Sequence, residues 1–270
     1  MPAAASTTQL KLVRIKDGRR RRVSDALVVE EPLEIRVNGR PLTLTMRTPG
    51  HDHELAAGFL FAEGLVASAD GIARCAVNPR NREGNVLDVT LASETEVDWS
   101  RLQQRFAGTS SCGLCGRESI AAIRRRIPRI RSRAAVPAAV LERLPGRLLQ
   151  SQEAFALTGG LHAAGLFDLR GRLLVAREDV GRHNAVDKVL GWALLAARLP
   201  LDRHVLMVSG RASFEIVQKS QAASLPVVCA VSAPSSLAVK LAAAGGQTLV
   251  GYLREGRMNI YSRPRRVTSR

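Results

Sequence analysis

Apolar residues alternate with polar ones along the first part of the chain and fall into short solid runs or helical spacing along the last part. The runs Ala26-Leu27-Val28-Val29, Leu33-Glu34-Ile35-Arg36-Val37 and Leu42-Thr43-Leu44-Thr45-Met46 read as strands, and Asn38-Gly39 joins the latter two. Asn-Gly between alternating runs predicts a tight hairpin, because both residues tolerate left-handed backbone. After Thr48-Pro49-Gly50, residues 52–63 set Leu55, Phe59 and Leu60 on one helical face, with Asp52 as the starting cap and Gly64 as the stop. Further strands are expected at 73–77 and 85–91. Residues 116–149 read as helices broken at Pro128, with Arg124-Arg125-Arg126 on a solvated face. Residues 1–22 are basic and lack a clear period, so they predict a flexible tail that pairs at most one strand, at 10–15.

The last hundred residues change rhythm, with short apolar strands alternating with amphipathic helices, the pattern of an α/β parallel sheet. Leu173-Leu174-Val175-Ala176 leads through residues 177–184 into a helix whose Val186, Val189, Leu190, Ala193, Leu194 and Ala197 share a face. His204-Val205-Leu206-Met207-Val208 leads through Ser209-Gly210-Arg211 into a helix that Ser213 would cap. Val227-Val228-Cys229-Ala230-Val231 leads through Ser232-Ala233-Pro234-Ser235-Ser236 into a third helix, and the strand at 248–253 ends in Arg254-Glu255-Gly256-Arg257.

Parallel strands put their carboxyl ends along one edge, where ligands bind in open α/β sheets. Any single turn of this kind reads as a solvated loop, but four on one edge predict a site. Arg177, Arg182, Arg211, Arg254 and Arg257, with the helix starts near Gly181, Ser213 and Ser236, offer donors to phosphate. Asp179, His183, Asn184 and Asp187 would bond a base or a pterin-like ring instead. Neither G-x-G-x-x-G nor a P-loop occurs, so an ordinary NAD or ATP site is not expected.

Composition sharpens this picture. The chain has 270 residues, 46% of them apolar, which suits one large domain or two modest ones and excludes a disordered or disulfide-stapled chain. Its charge of +16 comes from 40 Lys plus Arg against 24 Asp plus Glu, and with lysine only at 11, 16, 188, 219 and 240 the excess is guanidinium. Forked donors favour anionic partners. Aromatic residues make up 4% and the arginines are dispersed, which argues against nucleic acid. No apolar run approaches a membrane span and no secretory leader is evident, so a cytoplasmic protein without membrane contact is expected.

Four cysteines occur, and Cys112 and Cys115 form C-x-x-C within Gly108-Thr109-Ser110-Ser111-Cys112-Gly113-Leu114-Cys115-Gly116. Glycine and hydroxyl residues predict a mobile, exposed loop. A helix from about Arg117, with Ile120, Ile123 and Ile127 on one face, would place the thiols at its positive end and favour thiolate. Such a thiolate can take the terminal sulfur of a donor persulfide and pass it on. Four other readings of the pair compete with this one. Structural zinc lacks a second ligand pair, since Cys75 and Cys229 sit in apolar strands. A thioredoxin-like redox pair lacks its usual βαβ and aromatic context. A zinc deaminase lacks H-x-E and P-C-x-x-C. An inert loop remains the plain reading. Among the histidines, His51 and His53 read as turn residues, His162 follows a glycine pair that would open a helix beside a ligand, and His183 lies on the predicted site edge.

Several segments together resemble the FdhD family of formate dehydrogenase accessory sulfurtransferases, in order from about residue 23 to 262. They are Thr48-Pro49-Gly50 with residues 54–60 and Glu63-Gly64, the Ser110–Gly116 loop, Thr158-Gly159-Gly160-x-His162, Glu178-Asp179-Val180-Gly181-Arg182-His183-Asn184-Ala185-x-Asp187-Lys188, Ser209-Gly210-Arg211 and Ala233-Pro234-Ser235-Ser236-Leu237-Ala238. The resemblance implies a homodimer whose Cys112, assisted by Cys115, takes persulfide sulfur from a cysteine desulfurase. It further implies delivery to the bis-molybdopterin guanine dinucleotide molybdenum cofactor before that cofactor enters formate dehydrogenase. The family's cofactor-binding stretch falls on Tyr252-Leu253-Arg254-Glu255-Gly256-Arg257. With Ser209, Arg211, His162, His183, Asn184 and Asp187 it would form the cofactor site, which a guanine nucleotide such as GDP would also fit. The implied fold is α/β: a cytidine-deaminase-like core without zinc over 116–270, after a smaller N-terminal α+β part over 23–115 that ends in the cysteine loop. A thiol oxidoreductase and a cofactor-binding chaperone without sulfur transfer stand as alternatives.

Overall fold

Asp-Gly at 17–18 and Asn-Gly at 38–39 both take the left-handed backbone of tight hairpin turns, and each organises a sheet in the computed structural model, which describes residues 6–92, 99 and 129–269. Strands β1 (Thr7–Lys16) and β2 (Arg19–Val28) pair antiparallel over all ten positions. The expectation of a flexible tail is thereby corrected: residues 7–22 belong to a hairpin. Its arginine run hid the strand because the side chains of Arg19 to Arg22 are all exposed, which leaves none of the half-buried alternation that marks a strand there.

The second hairpin, β3 (Glu31–Val37) and β4 (Arg40–Arg47), joins β5 (Ile72–Val77) and β6 (Val86–Leu91) in a four-stranded sheet of order β4-β3-β6-β5, with β3 and β6 parallel. Leu33, Ile35, Val37, Leu87 and Val89 bury one face of it against Leu55 and Leu60 of helix α1 (Asp52–Ala62). Asp52 does not cap α1. His51 opens the helix in a left-handed conformation, φ 60°, while the Asp52 carboxylate accepts two hydrogen bonds from buried Arg47. The predicted stop holds: Gly64 N–H donates to the Phe61 carbonyl and Leu65 N–H to that of Leu60.

Residues 129–135 form no regular element; those at 116–128 lie outside the described residues. Then follow β7 (Val136–Pro137), α2 (Ala138–Glu142), α3 (Leu144–Gln150), α4 (Glu153–Thr158), β8 (His162–Asp168), β9 (Leu173–Asp179), α5 (Arg182–Leu195), β10 (His204–Val208), α6 (Phe214–Ala222), β11 (Val227–Ala230), α7 (Ser236–Gly245), β12 (Thr248–Arg254), β13 (Arg257–Ser262) and β14 (Val267–Thr268). The main sheet has the order β13-β12-β11-β10-β8-β9. All four strands read from the sequence, β9 to β12, run the same way, but the sheet is mixed. Strand β8 lies antiparallel between β9 and β10, and β13 lies antiparallel beside β12. The Gly159-Gly160 pair therefore ends α4 and admits a strand, not a helix, at His162.

Alternate residues of this sheet serve two cores. Leu166, Leu206, Val228 and Leu249 face α5, α6 and α7, and Phe167, Met207, Cys229 and Val250 face α2 and α3. Among the described residues no helix is long and apolar enough to cross a membrane.

The two sheets are joined by α1 crossing α5. At the crossing the backbones touch, because a Cβ on Gly58 would drive into the carbonyl oxygen of Asp187, and one on Gly191 into that of Glu54. Only glycine fits at either position. Gly191→Ala should lower stability by about 3 kcal/mol, read by denaturant unfolding, since both opposing atoms are backbone and cannot turn away. A loss under about 0.5 kcal/mol would contradict this close approach.

Candidate functional site

One edge of the main sheet collects the carboxyl ends of β9, β10, β11 and β12 and the beginning of the antiparallel β8. His162 therefore pairs with Asp179 across the ladder and stands beside the turn after β10. Two reciprocal hydrogen bonds fasten that turn: Ser209 N–H to the Ala163 carbonyl at 2.9 Å, and Ala163 N–H to Ser209 Oγ at 2.9 Å. Gly210 packs so near that a Cβ there would lie 3.3 Å from His162 Nδ1 and 3.8 Å from Arg182 Cδ. At the foot of α5, His183 Nε2 lies 3.1 Å from Ser213 Oγ and 3.6 Å from Glu215 Oε2. Ser213 precedes α6 without bonding its N–H groups, so its hydroxyl serves the histidine rather than the predicted cap. The structure thus brings His162, Arg182, His183, Ser209, Gly210 and Ser213 together.

Electrostatics at this cluster follow from burial and from Arg182. Burial and the Arg182 charge push His183 down to about 4, against the pull of Glu215. His162 is lowered by the same two influences, with Asp179 opposing. Both imidazoles are therefore neutral at pH 7 and can accept as well as donate a proton. Arg182 Nε is buried without a hydrogen-bond partner, a donor held ready beside them.

The acidic and amide residues of the same stretch lie behind the edge, and their expected contact with a ligand ring is corrected. Asp179 is fully buried and accepts from Gly181 N–H, Asn184 Nδ2 and Thr48 N–H, with Lys188 Nζ at 2.7 Å. Asn184 bonds the Met46 carbonyl, Asp179 and Thr45 Oγ1. Asp187 is 2% exposed and holds Lys219 Nζ at 2.7 and 2.9 Å, while burial pushes its carboxyl up to about 6. Arg177 is likewise spent: it forks onto Glu54 at 2.5 and 2.7 Å. Burial raises the Glu54 carboxyl, but the Arg177 and His51 bonds prevail and hold it at about 2.

Farther along the edge, Tyr252 N–H donates to the Ser232 carbonyl at 3.2 Å. Tyr252 is 38% exposed and adopts φ 51° within a bulge of β12. A bulky side chain rarely takes that backbone, and such strain gathers at ligand sites. Arg254 and Arg257 flank the Glu255-Gly256 turn and are exposed, as is Arg211. Leu253, by contrast, is fully buried in the core and faces no ligand, which corrects its place in the expected site.

Cys112 and Cys115 lie outside the described residues. The other two thiols are poor nucleophiles: burial pushes Cys75 up to about 12 and Cys229 higher still. Among the described residues no cluster of His, Cys, Asp or Glu is placed to hold a metal ion. Lys188 and Lys219 are buried in ion pairs with Asp179 and Asp187, for which the available sequence signal is a lysine inside an apolar helical stripe in a chain with so few.

The FdhD/NarQ family profile matches residues 28–268. The chain belongs to the FdhD/NarQ family. This family member is 51% identical over 272 residues to the sulfur carrier protein FdhD of Mycolicibacterium paratuberculosis, covering 97% of this chain and 98% of that one. It is 51% identical over 277 residues to the protein of the same name from Streptomyces coelicolor, covering 98% and 96%. A crystal structure of a candidate formate dehydrogenase accessory protein from Desulfotalea psychrophila superposes with a TM-score of 0.78 at 28% identity, covering 98% of this FdhD/NarQ chain and all of that one.

His183 provides a direct check on the site's electrostatics. Its folded value of about 4 lies below the ordinary 6.5, so the unfolded chain binds more protons between those values. The contribution is therefore lost as pH falls from 6.5 toward 4. Imidazole nitrogen NMR should find His183 neutral down to about pH 4, and His183→Gln should flatten the stability profile over that window. Titration near 6.5 would contradict the buried, Arg182-facing placement.

Proposed function

We propose that this chain is a sulfur carrier that serves formate dehydrogenase, taking persulfide sulfur from a cysteine desulfurase on Cys112. The observation that carries this reading is likeness along nearly the whole chain, at 51% identity, to proteins named sulfur carrier protein FdhD. The chain also holds the Cys112-x-x-Cys115 pair. In the loading step the Cys112 thiolate attacks the terminal sulfur of the donor persulfide. The donor's S–S bond breaks, its cysteine leaves as thiolate, and a new S–S bond on Cys112 holds the sulfur. No oxidant or reductant is consumed.

The substrate that receives this sulfur is, in our reading, the bis-molybdopterin guanine dinucleotide cofactor. Its phosphates suit the exposed guanidinium groups of Arg211, Arg254 and Arg257 and the helix starts of α5, α6 and α7. Neutral His162 and His183 would accept or return the proton of a persulfide brought to the edge. Tyr252, strained and exposed, would contact the cofactor's rings. We assign the same chain a cytidine-deaminase-like core, a homodimeric assembly and a cytoplasmic place, where desulfurase and dehydrogenase are both within reach.

Incubation of the purified chain with a cysteine desulfurase and cysteine, followed by intact-protein and peptide mass spectrometry, tests the loading step. The expected result is a gain of one sulfur on Cys112, absent in Cys112→Ala and retained in Cys115→Ala. A gain that requires Cys115, with a cycling disulfide, would turn the reading toward a thiol oxidoreductase. No gain from a competent donor would leave a cofactor-binding chaperone.

A further inference from the structure

At the opposite end of the main sheet from this edge, where β12 begins, the surface opens into a cleft of about 700 Å³. That volume is typical of small-molecule sites. Five arginines line it, Arg129, Arg133, Arg263, Arg265 and Arg266, and no acidic or aromatic residue does so among the described residues. Arg129, Arg133, Arg263 and Arg265 are exposed and Arg266 is half-buried, and none of the five forms an ion pair with a described carboxylate.

The cleft wall is built rather than loose. Parallel pairing of β14 with β7 places Val267 opposite Val136, and so brings residues 129–135 against 263–266. Arg266 braces the floor by donating to the carbonyls of Ser132 and Gly246. Arg263, in a left-handed conformation, turns the chain at the rim. Burial, and after it the charge of neighbouring Arg263, lower the Arg266 guanidinium below its ordinary value.

We propose that this arginine cleft is a binding site for the diphosphate or longer phosphate chain of a small anionic ligand, separate from the sulfur-transfer edge. Several forked donors facing one concavity match the oxygens of linked phosphates better than a single carboxylate. Among the described residues no aromatic side chain lines the cleft to stack a base, so these residues recognise the phosphates.

The test is calorimetric titration of the full chain with tripolyphosphate at about 0.15 M salt, where exposed charges are largely screened. Saturable binding to one site per chain is expected. Arg133→Glu with Arg265→Glu, both exposed and free of structural bonds, should weaken it about tenfold or more. Arg80→Glu with Arg82→Glu, which makes the same charge change on the exposed β5–β6 turn of the N-terminal sheet, should change it less than about twofold. Pyrophosphate and ADP separate the sources. Comparable affinity supports a site that takes a nucleotide's diphosphate, and retention of pyrophosphate with loss of ADP supports one confined to free phosphate chains. The proposal is overturned by absence of saturable binding, by equal weakening in both double variants, by oligoglutamate binding more tightly than tripolyphosphate, or by binding of adenosine alone.

Discussion

Asp179 carries a charge into a fully buried position, and its neighbours are arranged to satisfy it. A carboxylate in such a place is tolerated only when paired and fully hydrogen-bonded. Here Lys188 supplies the charge, Gly181 and Asn184 supply donors from the foot of α5, and Thr48 supplies an N–H from the loop that follows β4. Lys188 closes the circuit by donating to the Thr48 carbonyl. One carboxylate thus fixes the end of β9, the entry of α5 and the loop before α1. The glycine contact of α1 with α5 and the Arg177–Glu54 fork extend the same junction. Loss of any one donor would leave the charge under-satisfied, so the junction is cooperative.

That junction holds the sheet edge in place. With Asp179 and Asn184 holding the turn rigid from behind, Arg182 and His183 are presented from a fixed helix start, and β8 places His162 alongside. The residues with charge to spare lie at the front, where burial and Arg182 keep the imidazoles neutral. Pre-set donors of this kind bind a polyanion without reorganising, the general advantage of placing a site on rigid elements. The mixed direction of the sheet matters too, since an antiparallel β8 puts a strand beginning, and hence His162, among strand endings.

Much of this was legible in the residues. Asn38-Gly39, Gly64 and the alternation of residues 31–47 specified the hairpin and the α1 stop by local rules, and those held. The four strand-to-turn units of the second half were read correctly because solid apolar runs bounded by Gly and Ser carry an unambiguous period. Strand β8 was missed because its small residues, Ala163, Ala164 and Gly165, carry little hydrophobic signal, while Gly159-Gly160 before them fits a helix start as well as a helix end. The β1–β2 hairpin was missed because its register rests on backbone pairing and the Asp17-Gly18 turn rather than on burial. Composition could place Asn184, Asp187 and Arg177 on the right stretch but not behind it, since only tertiary partners such as Thr45, Lys219 and Glu54 decide which polar groups remain free for a ligand.

The most direct test of sulfur carriage follows the atom itself. The chain, loaded with radioactive sulfur and freed of donor, is mixed with the guanine-dinucleotide molybdenum cofactor, and the label is then traced. Label is expected to leave Cys112 and travel with the cofactor. Label that stays on the protein, or departs only as free sulfide, would contradict it.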